Sequence, residues 1–116
     1  MKKEYRLRKR RDFSYTYRKG KSISNYYLVL IFRKNSGNVT RIGFSVSKKF
    51  GTAVKRNRIK RQLREICRQR LDDIKSGYDL IFVVRKAAKN ADFRILENQV
   101  ESLLKRAGLL RNIERD

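Results

Sequence analysis

RIGFSVSKKFGTAVKRNRIKRQLREICRQR, residues 41–70, changes its hydrophobic period once, and that change sets the fold class. Over 41–49 the period is two: Ile42, Phe44 and Val46 share one face, and Arg41, Gly43, Ser45, Ser47 and Lys49 share the other, the mark of a half-buried strand. Gly51 permits a tight turn, and Thr52 suits a helix N-cap. From Thr52 to Ser76 the period becomes 3.6: Ile59, Leu63, Ile66 and Ile74 form one stripe, with Cys67 and Leu71 beside it. Gly77 closes this long helix.

Upstream, YYLVLIFR (26–33) is almost wholly apolar and reads as a strand buried on both faces. KNSGN (34–38) is a turn, so this strand and the 41–49 strand are expected to pair as an antiparallel hairpin. Residues 10–19 read as a short helix ended by Gly20. Downstream, YDLIFVVR (78–85) is a third strand. Phe93, Leu96, Val100, Leu103 and Leu104 predict a last amphipathic helix, ended by Gly108. The order α-β-β-α-β-α makes one α+β domain over 1–116, with 1–8 a flexible basic N-terminus and 109–116 a poorly ordered or short helical tail.

Thirty-two Lys+Arg against 11 Asp+Glu leave a net charge of +21 on 116 residues. Such a surface calls for a polyanion. The charge is concentrated: residues 2–21 carry ten basic groups against Glu4 and Asp12, and 48–70 carry ten against Glu65 alone. Histidine is absent, which removes imidazole acid–base catalysis, Ser-His and Cys-His pairs and imidazole zinc sites. The carboxylates are scattered, so no paired-carboxylate metal centre or catalytic residue is expected. A single cysteine, Cys67, beside the helix core stripe, reads as an inert small apolar residue and suits a reducing, cytoplasmic setting. No apolar run approaches the ~20 residues of a membrane span, and no protein partner is indicated.

On the long helix Asn57, Arg61, Arg64 and Arg68 fall within about 60° of one another, opposite the apolar stripe, as a ridge about 16 Å long. Lys55, Arg56, Arg58 and Lys60 extend its charge. Arg forks grip phosphate oxygens in pairs, and Asn can read a base edge or sugar hydroxyl. An exposed helix kept soluble by charge has the same pattern, although such faces mix signs more evenly. On the first helix Phe13 and Tyr17 are i, i+4 and share a face. Placed among cations they make either a stacking platform for unpaired bases or a pair of core rings. The polar face of the 41–49 strand, with Ser45, Ser47, Lys48 and Lys49 at its end, leaves room for a nucleic-acid backbone and hydroxyls to bind it, or is an ordinary solvent face. The Gly51 turn lacks the GxxxxGK[ST] of a phosphate loop.

KKFGTAVKRNRIKRQLRE (48–65) resembles the signature of the bacterial ribonuclease P protein subunit. The DFxxxYRKG run (12–20), its spacing to FSVSKK and the final LLKRAG agree, so the resemblance spans about residues 6–110. It implies an α-β-β-β-α-β-α sandwich, ribosomal protein S5 domain 2-like, with a left-handed βαβ crossover and one strand more than the periodicity gives. It also implies a partner, the ribonuclease P RNA, which carries the active site and its Mg²⁺ ions. The substrate is precursor tRNA, whose 5′ leader lies in a cleft between the first helix and the sheet. By position, Phe13 and Tyr17 match the cleft aromatics, and Ser45, Ser47, Lys48 and Lys49 match the strand lining it. Arg56, Asn57, Arg58, Arg61 and Arg64 match the RNA-facing helix, while Ile31 stands where many relatives place an aromatic.

The expected function is thus the protein component of a ribonucleoprotein endonuclease. A ribosomal protein with a structural RNA-binding role shares the charge and similar fold and is the alternative. A membrane-active cationic peptide conflicts with the alternating strands.

Overall fold

Side chains alternate along the strands, and the two faces of the sheet are covered unequally. The computed structural model describes residues 1–111. Its regular elements are α1 (Arg10–Lys19), β1 (Lys21–Ser24), β2 (Leu28–Lys34), β3 (Arg41–Ser45), α2 (Ala53–Arg68), β4 (Tyr78–Val84) and α3 (Phe93–Arg106). The strands form one sheet in the order β1-β2-β4-β3; β3 and β4 are parallel and the other pairs antiparallel. Leu28 and Leu30 of β2, Ile42 of β3, and Leu80, Phe82 and Val84 of β4 pack with α2 (Ile59, Leu63, Ile66) and α3 (Leu96, Val100, Leu103). Each such side chain contributes about 1.5–3 kcal/mol when fully buried. The other face bears Val29, Ile31, Ile81 and Val83, and among the described residues Leu7 and Phe13 add the apolar cover there.

The topology corrects the expected hairpin. β2 and β3 do not pair; β4 lies between them. Leu80, Ile81 and Phe82 have no exposed surface, so the strand that is apolar on both faces takes an interior position. β3, with Gly43 and Ser45 on one face, takes an edge, joined to its parallel neighbour through α2. β1 is the strand that periodicity did not give. It pairs Lys21 with Phe32 and Ser24 with Val29, and Ile23 is its one apolar residue. Asn25 Oδ1 accepts from the amides of Tyr27 and Leu28 (3.0 and 2.9 Å) and turns the chain into β2.

The strand expected over 26–33 runs instead over Leu28–Lys34, and two boundaries move further. β3 ends at Ser45 rather than Lys49, because Lys48–Phe50 form a 3₁₀ turn capped by Ser47. α2 ends at Arg68 rather than Ser76; Leu71–Asp73 form a 3₁₀ turn, and Ile74 leaves the helix to bridge Leu110. Within the described residues, Arg6–Leu7 and Leu109–Leu110 are held against the domain, unlike a flexible arm and a loose tail. Arg6 bridges Ile42, and Leu7 is 3% exposed, since it fills the apolar gap over Ile31 and Ile81. At the other end Gly108 (φ 71°) lets α3 close with Leu109 N–H donating to Leu104 O and Gly108 N–H to Lys105 O. Leu109 is then buried against the core. Residues 112–116 of the expected tail lie outside the described residues.

Candidate nucleic-acid interface

The register divides the less covered face into three rows. The first is Arg33–Asp79–Arg41, the second Ser22–Ile31–Ile81–Gly43, the third Ser24–Val29–Val83–Ser45. α1 lies along the second row. At one end the Phe13 ring covers Gly43 so closely that a Cβ there would meet Phe13 Cζ at 2.4 Å; at the other end Gly20 abuts Ile31 and the Phe32 carbonyl. Only a glycine at 43 admits the ring.

The helix therefore presents a flank to each outer row. Asp12 reaches Arg41 (3.1 Å) and Tyr15 lies under Arg33, which fixes that flank over the first row. Phe13, about 100° round the helix from Asp12, faces the second row, and Tyr17, about 140° round, falls on the flank beside the third row. The two rings differ. Phe13 is half-buried and packs with Leu7, Ile31 and Ile81, whereas Tyr17 is 44% exposed. The third row beside them is a shallow apolar floor, with Val29 and Val83 half-buried between the hydroxyls of Ser24 and Ser45. Ile31 lies in the second row, 8% exposed.

Past Ser45 the chain supplies cations. Ser47 Oγ accepts from the Lys49 amide (3.0 Å), which leaves the Lys48 and Lys49 side chains exposed. Thr52 caps α2 by accepting from Lys55 N–H (3.3 Å), and Arg56 donates to the Gly51 carbonyl (2.7 Å). Arg56 is thus committed to the turn and is half-buried, unlike the free cation the sequence suggests.

The α2 cations fall into separate groups. Asn57, Lys60, Arg61 and Arg64 line one open hollow with Val54, which is 75% exposed. Lys55 and Arg58 face the start of α3 and share a second hollow with Phe50 and Lys89. Arg68 departs from the expected ridge: it binds Glu65 through two bonds of 2.9 and 2.6 Å. The Arg68 guanidinium holds the Glu65 carboxyl down to about 2, so the pair stays ionised and locally neutral. Arg64 is lowered from its ordinary value, first by burial and then by the charge of Arg6.

Arg6 and Arg8 are cations that sequence reasoning missed. They share a depression of about 290 Å³ with Phe13, Lys60 and Arg64, which joins the α1 flank to the α2 crest. Their sequence signal, basic residues either side of Leu7, was absorbed into the supposed arm. Among the described residues no group of three or more Cys, Asp or Glu is placed to hold a metal ion. Cys67 is fully buried, and burial pushes its thiol up to about 12. No helix among the described residues is long and apolar enough to cross a membrane.

A family model described as Ribonuclease P matches residues 1–108. The ribonuclease P protein component of Clostridium botulinum (strain Loch Maree / Type A3) is 47% identical over 108 residues, covering 92% of this chain and 97% of that one. That of Clostridium novyi (strain NT) is 49% identical over 111 residues, covering 94% and 98%. A solved structure of the Staphylococcus aureus RNase P protein superposes with a TM-score of 0.87 at 37% identity, over 94% of this chain and 100% of that one. The chain belongs to the ribonuclease P protein component family, the protein side of a ribonucleoprotein endonuclease that processes tRNA.

Proposed function

We propose that this chain binds the ribonuclease P RNA through α2 and the 5′ leader of precursor tRNA through the third row of the sheet. The chemistry belongs to the RNA and its Mg²⁺ ions; the side chains here position and neutralise. The observation that carries this reading is the split made by α1. The Val29–Val83 floor and Ser45 form one apolar and hydroxylated strip, on the flank of α1 to which helix geometry assigns Tyr17, while Asn57, Arg61 and Arg64 project from a different element. A single strand can stack and lie in the strip, and a folded RNA can meet the helix crest. Leader contacts raise affinity for precursor over mature tRNA, because the product has lost the segment that makes them. Lys48 and Lys49 stand beyond Ser45 at the end of the strip, and Arg6, Arg8 and Lys60 bridge the two surfaces.

Reconstitution with the host's catalytic RNA and a precursor tRNA tests the reading. Cleavage at low Mg²⁺ is expected only when the protein is added, leaving a 5′-phosphate on the tRNA. Equal cleavage with and without protein would overturn it.

A further inference from the structure

The flank of α1 over the first row is not used by the reading above, and it is also built. Where that row meets the ends of β1, β2 and β4, Tyr15, Lys19 and Arg33 on the α1 side and Lys21, Lys34 and Tyr78 on the side of α3 line a depression of about 490 Å³ at the end of the sheet. Phe32, Ala107 and Leu109 complete its wall; four of the nine lining residues are cations, and among the described residues no carboxylate lines the hollow. The nearby acids are Asp12, held by Arg41 at 3.1 Å, and Asp79, fully buried and gripped by Arg41 through two bonds of 2.9 Å and by Asn35 at 3.0 Å. Arg33 is held without being used up. Its guanidinium lies 4.3 Å from the Tyr15 ring centroid, one nitrogen is 3.4 Å from Asp79, another donates to the Lys34 carbonyl (2.9 Å), and Nε is buried with no hydrogen-bond partner. Tyr15 is 40% exposed and Tyr78 half-buried, so ring surface borders the charge.

We propose that this hollow is a second single-stranded RNA site, seating a phosphate among Lys19, Lys21 and Arg33 with a base against Tyr15 or Tyr78. An anchored arginine fork and two mobile ammonium groups suit a phosphate. Exposed ring surface suits a base, which an acidic peptide does not offer. α1 then separates this hollow, at the end of the sheet, from the leader strip, and the hollow does not depend on the leader assignment.

The test titrates the full, isotope-labelled chain with a uridine tetranucleotide and follows backbone amides. Shifts are expected at Lys21, Arg33 and Tyr78, and they persist in Tyr17→Ala, which impairs only the other groove. Lys19→Gln/Lys21→Gln should reduce the salt slope of binding at these amides by about 1.4, two charges at about 0.7 each on a single strand. The exposed pair Lys86→Gln/Arg94→Gln removes the same charge elsewhere and should leave that slope nearly unchanged. The proposal is overturned if shifts are confined to the Val29–Val83–Ser45 row. It is equally overturned if the control pair weakens these amides as much, or if a glutamate tetrapeptide shifts them at lower concentration than the tetranucleotide.

Discussion

Gly43 shows how a single missing methyl shapes the interface. Its absent Cβ is the space into which the Phe13 ring fits, and a Cβ would also come within 3.0 Å of the Leu7 carbonyl. Gly43→Ala should therefore cost about 1–3 kcal/mol, the range for overpacking a filled site. It should also lift Phe13 and so disturb the leader strip; calorimetry of the variant beside leader binding measures both. Cys67 is a second residue with a definite expectation. Its folded value of about 12 lies above the ordinary 9.0, so the neutral thiol favours the fold below pH 9.0, and that contribution fades as pH rises towards 12. At pH 8 an aromatic disulfide reagent should leave the native protein untouched and react stoichiometrically in denaturant. Fast reaction of the native chain would mean the α2 core opens far more often than its packing implies.

Elements differed in how far the sequence revealed them. α1 and α3 were legible because their caps and apolar periods agree: Gly20 and Gly108 stand just past their ends, and Asp92 accepts from the Ile95 amide at the start of α3 (2.9 Å). β1 was not, because Lys-Ser-Ile-Ser carries one apolar residue and its pairing is supplied by β2. The false hairpin came from treating neighbours in sequence as neighbours in the sheet; the burial of β4 on both faces is a tertiary demand that no local window carries. Within the candidate site the shared helix face of Phe13 and Tyr17 follows from their spacing, but that Phe13 is the ring taken against the sheet does not, since Gly43 lies 30 residues away in sequence. The split between elements yields a prediction. Tyr17→Ala should remove stacking worth roughly 1–3 kcal/mol from leader-bearing precursor and leave mature tRNA binding unchanged. Arg61→Ala/Arg64→Ala should instead weaken assembly with the catalytic RNA and raise the Mg²⁺ requirement for every substrate. Binding of both tRNAs to each reconstituted variant measures the contrast. Parallel losses in both variants would refute separate surfaces.

At the scale of the whole molecule the charge of +21 is shaped more by pairing than by number. Arg33, Arg41, Arg68 and Arg70 face carboxylates at Asp79, Asp12, Glu65, Glu97 and Glu101. The Asp79 and Asp12 pairs hold the sheet and α1 together, the Arg70 pairs hold α3 to the segment after α2, and, Arg33 apart, these cations are drawn away from attracting RNA. Among the described residues the remaining cations of the α2 crest and of the α1 flanks make no such ion pair, so on the proposed reading they set the counterion release. If about six to eight phosphates are neutralised, log affinity for the catalytic RNA should fall against log salt with a slope on the order of −4 to −7. The pairing makes this sharper than a count of basic residues would. Glu65→Gln/Arg68→Gln deletes a neutral pair and should leave the slope as it was, whereas Arg61→Gln/Arg64→Gln removes two contacts and should shift it by about 1.8, near 0.9 for each phosphate on duplex RNA treated like duplex DNA. Filter binding across a salt series measures all three proteins. Equal changes in the two double variants would mean that Arg68 leaves Glu65 for the RNA, and that the crest is the continuous four-residue ridge its spacing suggests.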